Sequence, residues 1–304
     1  MQPGRGLCKQ GGPCPESQKR EGMIWKLLEG QDVTPKYLVN GCPKHGLHLL
    51  AMMVEGSHVS PMPGSIFTDR NWTGTFRDFS FGLRWQDMER WCFIMSRLQQ
   101  GFYYRGHVGY REDISEFMRL GRVAHVFIYR DLRDVAVSHA FHVLRKEPGR
   151  FNHIAKPMYW AMEQAGGFDA VLSAVIEGLG PFPGTVKLWE AYAPWLDQDW
   201  VHAVRFEDAI DDLKGAAAGI LEYGMDQITR GIWEDRLSVE GSLFEQSVEC
   251  MANSAARKQM SPTYRHGVAG DWREYFKDEH RALFKETGGG EWLMRLGYEQ
   301  DEDW

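Results

Sequence analysis

The 304-residue sequence has no long uninterrupted apolar run, no close cysteine pairing pattern, no basic excess and no internal repeat. Each absence removes a class of protein. A transmembrane helix needs roughly 20 consecutive apolar residues, and none are offered. The N-terminus also lacks the basic-then-apolar order of a secretory signal. The five cysteines (Cys8, Cys14, Cys42, Cys92 and Cys250) are scattered and odd in number, which points to reduced thiols inside a cell rather than a disulfide framework. A formal net charge of -7 argues against non-specific nucleic-acid binding, though it permits a local basic pocket. The expectation is a cytoplasmic protein with neither a membrane nor a nucleic-acid partner.

What is present is ordinary globular composition, with 43% hydrophobic and 25% charged residues, and many aromatics, including 12 Trp. Residues 1–22 are rich in Gly, Pro, Lys and polar residues and read as a tail. The remainder, 23–304, reads as a single α/β domain with a central parallel sheet flanked by helices. Strands are expected at 37–41, 101–107, 123–129 and 200–206. The near-continuous apolar character of 123–129 suits a strand buried on both faces. Helices are expected at 46–56, 85–99, 112–120, after Asp131 (placed as an N-cap), and at 168–178, 185–196, 208–223, 226–237, 242–258, 271–288 and 291–296. The segments 57–82 and 145–167 show no clear period, and the first is a long loop of the kind that often binds ligands.

Three stretches carry a fixed positive charge at a strand end or in a glycine loop. Cys42-Pro-Lys44-His-Gly46 follows the first strand and opens a helix, forming a P-loop-like turn in which backbone N–H groups, the helix N-terminus and a lysine would face an anion. It lacks the Lys-Ser/Thr pair of a Walker A loop and, alone, is equally what an ordinary βα turn looks like. Arg130 ends the best strand, with Ser138 on the next helix, and Arg265-His266-Gly267 lies in a late glycine loop. Neighbouring parallel strands would bring all three to one edge, as a pocket for a ligand with two phosphate groups.

These motifs resemble those of the soluble sulfotransferases, which use 3′-phosphoadenosine 5′-phosphosulfate (PAPS) and release 3′,5′-adenosine bisphosphate (PAP). Cys42-Pro-Lys-His-Gly-Leu-His-Leu49 is similar to the family's Tyr-Pro-Lys-Ser-Gly-Thr-Thr-Trp, with Lys44 and Gly46 matching. Tyr129-Arg-Asp-Leu-Arg-Asp-Val-Ala-Val-Ser138 resembles the family's strand-ending Arg with Asp and Ser on the next helix. Arg265-His-Gly-Val-Ala-Gly-Asp-Trp272 resembles Arg-Lys-Gly-x-x-Gly-Asp-Trp, and Arg105-Gly-His107 stands where the family has Lys-Thr-His. Arg205-Phe-Glu-Asp208 is similar to the family's Tyr-Glu-Asp, and Ser247-Val-Glu-Cys-Met251 to Ser-Phe-Glu-x-Met. The likeness runs from about Tyr37 to Phe284.

The resemblance implies a sulfotransferase with His107 as general base on the acceptor hydroxyl and Lys44 stabilising charge on the leaving phosphate. It implies cofactor contacts from Lys44, His45, Gly46, Leu47, His48, Leu49, Arg130, Ser138, Phe206, Val248, Arg265, His266 and Gly267. His45, Leu47 and His48 replace the family's hydroxyl side chains, and Leu49, Phe206 and Val248 replace three of its aromatic contacts to the nucleotide. The family's dimer motif is not matched after Trp272, which leaves the oligomeric state open. No metal is called for. Cys42, His45 and His48 have a spacing that permits one, but the sequence places no fourth ligand. Two alternatives are an inactive nucleotide-binding relative and a P-loop kinase, the latter lacking the Ser/Thr that would hold Mg²⁺. The acceptor is expected to be a small aromatic or apolar hydroxyl compound, with Phe67, Trp72, Phe76, Phe79, Phe81 and Phe141 as candidate lining.

Overall fold

The computed structural model describes residues 35–57, 59–61, 98, 101–145, 156–180, 182–229, 241–257 and 267–304. The expected tail at 1–22, the helix at 85–99, most of the 57–82 loop with its aromatics, and Arg265 and His266 lie outside the described residues.

The chain enters through strand β1 (Tyr37–Gly41), buried at every position, and turns into helix α1 (Leu47–Gly56). Strand β2 (Ser60–Pro61) and strand β3 (Phe102–Gly106) come next, then helix α2 (Glu112–Leu120). The polarity of α2 is locally consistent, with Glu112 and Asp113 in its first turn and Arg119 in its last, complementing the helix dipole. Strand β4 (Ala124–Tyr129) leads into helix α3 (Leu132–Leu144), whose N-cap Asp131 accepts a hydrogen bond from the Arg133 N–H as the sequence pattern requires. Helix α4 (Lys156–Glu177), the two-residue strands β5 (Gly178–Leu179) and β6 (Phe182–Pro183), and helix α5 (Thr185–Glu190) precede strand β7 (His202–Arg205). Helices α6 (Phe206–Asp211), α7 (Leu213–Thr229), α8 (Gly241–Ala256), α9 (Asp278–Glu286) and α10 (Gly289–Arg295) complete the described chain.

The main sheet has the order β2-β3-β1-β4-β7, and every pairing in it is parallel. Alternation along the strands splits the core between two faces. Leu38, Tyr104 and Phe127 point to one face with Trp189, Trp195 and Phe284. Val39, Tyr103, Val126 and Ile128 point to the other with Leu50, Met53 and Met251. The result is a three-layer α/β architecture. Helix α7 lies so close to β1 that a Cβ on Gly224 would collide with the buried Tyr37 hydroxyl, so the position calls for glycine.

Several boundaries depart from the sequence pattern for identifiable reasons. The span Lys156–Glu177 is two helical pieces that meet at a break at Gly167 (φ 70°, ψ -161°). The second occupies the expected helix at 168–178, while the first lies inside the segment expected to be irregular, with Pro157 in its first turn, where a missing N–H is harmless. The expected helix at 185–196 ends at Glu190 and resumes as a 3-10 turn over Ala193–Asp197, opened by Pro194. Phe206 already belongs to a helix rather than a strand. Asp212 interrupts that helix and accepts from the Gly215 N–H, so the pattern expected as 208–223 becomes α6 plus a long α7 that runs on to Thr229, and the rest of the helix expected at 226–237 lies outside the described residues. The region 271–288 divides into a 3-10 turn over Asp271–Glu274, whose N-cap is Gly270, and α9. Gly289 and Gly290 open the last helix instead of preceding it. Among the described residues no helix is long and apolar enough to cross a membrane.

Candidate active site

Strands β3, β1, β4 and β7 are parallel and their C-terminal ends lie on one edge, with Gly106 level with Asn40, Ile128 with Gly41 and Arg205 with Tyr129. The segments leaving these strand ends therefore converge: the Cys42–Gly46 turn, His107, Arg130 and Phe206. This is the edge at which open α/β sheets bind ligands.

The first loop is wound for anion binding. Lys44 and Gly46 both lie in the left-handed region, at φ 73° and φ 103°. Left-handed residues within a turn direct successive N–H groups into a concavity, and a left-handed lysine is uncommon enough to mark a constrained site. A Cβ on Gly46 would come within 2.5 Å of the Phe206 ring, so this position needs glycine both for its φ and for its space. Helix α1 starts at Leu47 directly above the turn, with its positive end toward it.

Three histidines share the loop's surroundings. His45 is fully buried, stacks on Trp189 at 5.0 Å between ring centroids, and accepts from the Arg130 N–H at Nδ1 (3.1 Å). Burial, reinforced by Arg130 and His107, holds it well below the usual histidine range, hence neutral. His48 lies 3.3 Å from an Arg105 guanidinium nitrogen through Nδ1. Burial, then Arg105, His107 and Lys44, lower its pKa to about 4. An arginine can only donate, so Nδ1 of His48 accepts and its proton resides on Nε2.

His107 is turned by its own backbone neighbourhood. Its Nδ1 lies 2.6 Å from the Gly41 carbonyl oxygen. A carbonyl accepts only, so Nδ1 carries the hydrogen and Nε2 carries the lone pair. Burial lowers the His107 pKa to about 4; the Gly41 contact opposes this, while Lys44 and Arg105 add to it. The segment after His107 is fastened to β1 by Asn40, whose Nδ2 donates to the Val108 carbonyl (2.9 Å) and whose Oδ1 accepts from the N–H groups of Val108 and Gly41 (2.8 Å each). The Trp195 indole N–H donates to the same Val108 carbonyl at 2.8 Å.

Arg130 sits over the Phe206 ring, 4.3 Å from its centroid. It donates to Asp134 Oδ2 at 3.3 Å and to the Val268 carbonyl at 2.8 Å. Asp134 also accepts from the N–H groups of Gly270 (2.9 Å) and Trp272 (2.8 Å). The late glycine loop, of which Gly267 is the first described residue, is thereby clamped against the first turn of α3. Behind it the buried Arg133 guanidinium pairs with Asp131 (2.8 Å) and Glu299 (2.5 Å), and lies over Trp272 (3.8 Å) and Trp304 (4.6 Å).

Of the residues expected to form the site, Lys44, His45, Gly46, His48, His107, Arg130 and Phe206 belong to this convergence. Ser138 is half-buried two turns along α3 from Arg130. Leu47 and Leu49 are buried in the core between sheet and helices, and Val248 packs at the margin of that same core from α8. Phe141, expected to line an acceptor cavity, stacks with Phe168 (4.5 Å) and Tyr275 (5.1 Å). Among the described residues, no group of three or more His, Cys, Asp or Glu is placed to hold a metal ion. His45 and His48 engage Arg130 and Arg105 instead. Sequence reasoning passes over Arg105 as a site residue, Asn40 and Asp134. The signal for Asn40 is a lone amide inside an apolar strand. For Asp134 it is an acidic residue four positions after Arg130, in the first turn of the helix that follows.

The family model described as the sulfotransferase domain matches residues 115–295. The crystal structure of mouse sulfotransferase SULT7A1 complexed with PAP superposes with a TM-score of 0.51 at 15% identity, covering 92% of this chain and 91% of that one. This is a likeness of fold. A structure of retinol dehydratase in complex with androsterone and inactive cofactor PAP superposes with a TM-score of 0.46 at 16% identity, covering 86% and 81%. No curated protein sequence matches the chain.

Proposed function

The chain belongs to the sulfotransferase family, and from that premise we propose that it moves a sulfuryl group from PAPS to the hydroxyl of a small aromatic or apolar acceptor, with His107 as the general base. The observation that carries this reading is the His107 imidazole. Its Nδ1 faces the Gly41 carbonyl, on the same sheet edge as the Lys44 loop, so the lone pair able to take a proton is the one on Nε2. The surroundings fit an anionic donor: Lys44, Arg105 and Arg130 bring fixed positive charge to one edge, and the turn holds two left-handed residues.

When bound, PAPS supplies the sulfuryl group and its 5′-phosphate takes the electron pair of the broken S–O bond. The chain's residues do the rest. His107 Nε2 accepts the acceptor's hydroxyl proton as the new O–S bond forms, and the Gly41 carbonyl steadies the resulting imidazolium at Nδ1. Lys44 would stabilise the charge that develops on the leaving phosphate oxygen, and the first-loop N–H groups would share in this. His48, donating at Nε2, stands in for a hydroxyl of the family's loop. Arg130, held flat by Phe206, offers its guanidinium to the 3′-phosphate, with Ser138 and the Arg265–Gly267 loop.

The test is turnover of a panel of phenols and apolar alcohols with PAPS, alongside calorimetric binding of PAP. His107→Ala is expected to lose about 10²–10⁴-fold in turnover while PAP binds as in the wild type. Retained turnover removes the base. Failure of the wild type to bind PAP removes the whole reading.

A further inference from the structure

We propose that Asn40 is the positioning residue of the general base: it fixes the tautomer and orientation of His107 by tying the strand end that receives its proton-bearing nitrogen to the segment that carries it. The proposal rests on His107 being the base.

The amide of Asn40 is fully buried, and hydrogen bonds account for its acceptor oxygen and its donor nitrogen. Its position in the strand is anomalous, because Tyr37, Leu38 and Val39 before it are all apolar core residues. A buried amide costs free energy unless its hydrogen bonds are made, so its presence calls for a task that an apolar residue cannot do. The task is geometric. Gly106 pairs with Asn40 across the sheet, and beyond Gly106 the β3 ladder stops. His107 and Val108 follow the last paired step, and Asn40 supplies the equivalent of one further ladder step. It accepts from the Val108 N–H, donates to the Val108 carbonyl, and holds Gly41 by its N–H. Gly41 is in turn the residue whose carbonyl faces His107 Nδ1 at 2.6 Å. Both ends of the His107 contact thus rest on one side chain.

The tautomer matters because free neutral imidazole places its hydrogen on either nitrogen, and only the Nδ1–H form leaves Nε2 able to take a proton. The effect is selective: the Arg130 and Asp134 clamp lies beyond another strand end and is built on Val268, Gly270 and Trp272 rather than on Asn40. Loosening Asn40 should therefore reduce proton transfer and leave nucleotide binding intact.

Two variants test this. Asn40→Ser shortens the side chain, and Asn40→Asp keeps its shape and acceptors while removing the donor to Val108. Each is compared with wild type, His107→Ala and the double variant. Turnover is expected to fall about tenfold to a hundredfold, the scale of a small misplacement of a reacting group, with unchanged PAP affinity. In the His107→Ala background the same change is expected to cost nothing further. The imidazole nitrogen shifts of His107 should report a fixed Nδ1–H form in wild type and a mixture of tautomers in the variants, a readout that needs no turnover and applies to whichever variant folds. The proposal is overturned if the variants keep the fixed Nδ1–H form, if the loss is equal with and without His107, or if PAP affinity falls in step with turnover. Retained turnover in His107→Ala alone overturns the base itself, and with it the kinetic part of the proposal.

Discussion

Arg130 and Asp134 form a buried ion pair one turn apart, 3.3 Å between guanidinium nitrogen and carboxylate oxygen, and the same carboxylate holds the N–H groups of Gly270 and Trp272. The arginine that would receive the 3′-phosphate and the loop that would close over it thus share one anchor. Asp134→Asn keeps the volume but removes the charge and part of the acceptor set. It is expected to weaken PAP by about ten- to a hundredfold, the scale of lost hydrogen bonds to a charged group. Binding of 5′-AMP, which lacks the 3′-phosphate, should stay near its wild-type value. Calorimetry with the two nucleotides checks this; equal losses for both would mean a general loss of structure.

With His107 as the proposed base, its environment should set the pH dependence of turnover. Burial, with Lys44 and Arg105, lowers its pKa to about 4, so the imidazole is unprotonated throughout the neutral range. In kcat/KM, which reports the free enzyme, the acid limb is expected near that value rather than near the ordinary histidine value of about 6.5. An anionic donor offsets the two cations, so the limb in kcat is expected at higher pH than the limb in kcat/KM. A kcat/KM limb at the ordinary value would show that His107 is not the titrating group.

His125, on β4, makes a separate prediction about stability. Its ring is fully buried among Trp195 (4.5 Å), Trp200 (5.6 Å) and Phe127 (6.2 Å), and among the described residues neither ring nitrogen has a hydrogen-bond partner. Burial lowers its pKa to about 3. The unfolded chain protonates below about 6.5 and the folded one does not until about 3, so protons favour unfolding in between. This share of stability is complete above the unfolded value and is lost as pH falls through the window. His125→Leu should leave the neutral-pH melting temperature equal or higher and flatten its fall on acidification. Thermal melts at neutral and mildly acidic pH decide it.

The strands are legible in the sequence because a parallel sheet buried on both faces leaves apolar runs such as β4, and the loop residues because three stretches with a fixed positive charge recur at strand ends and in a glycine loop of one chain. Helix limits are less legible where a local signal has a second use. Pro157 stands in the first turn of a helix, where proline opens rather than breaks it, and Gly224 packs against Tyr37 in mid-helix. Leu49 and Phe206, which the resemblance makes nucleotide contacts, pack in the core and under the Arg130 guanidinium respectively, and likeness of position alone encodes neither packing. Asn40 and Asp134 act through backbone groups distant in sequence, at Val108 and at Gly270 and Trp272, and no local pattern encodes such a partner.

Arg133 gives the sharpest stability test, because its charge is almost completely withdrawn from water. Its side chain is 2% exposed, with Asp131 and Glu299 as ion partners and Trp272 and Trp304 against its faces. It joins the start of α3, the 3-10 turn after the glycine loop, and the C-terminal residues. Arg133→Met would fill most of the volume but leave the buried Asp131 carboxylate without its bidentate partner, and breaking such a pair from one side costs about 3–5 kcal/mol. Arg133→Lys restores the charge without the planar fork or the stacking, so it should recover only part of the loss. The denaturant midpoints of the three proteins are expected in the order wild type, lysine, methionine. Methionine at or above wild type would mean that the tryptophan pair, not the ion pair, holds this junction together.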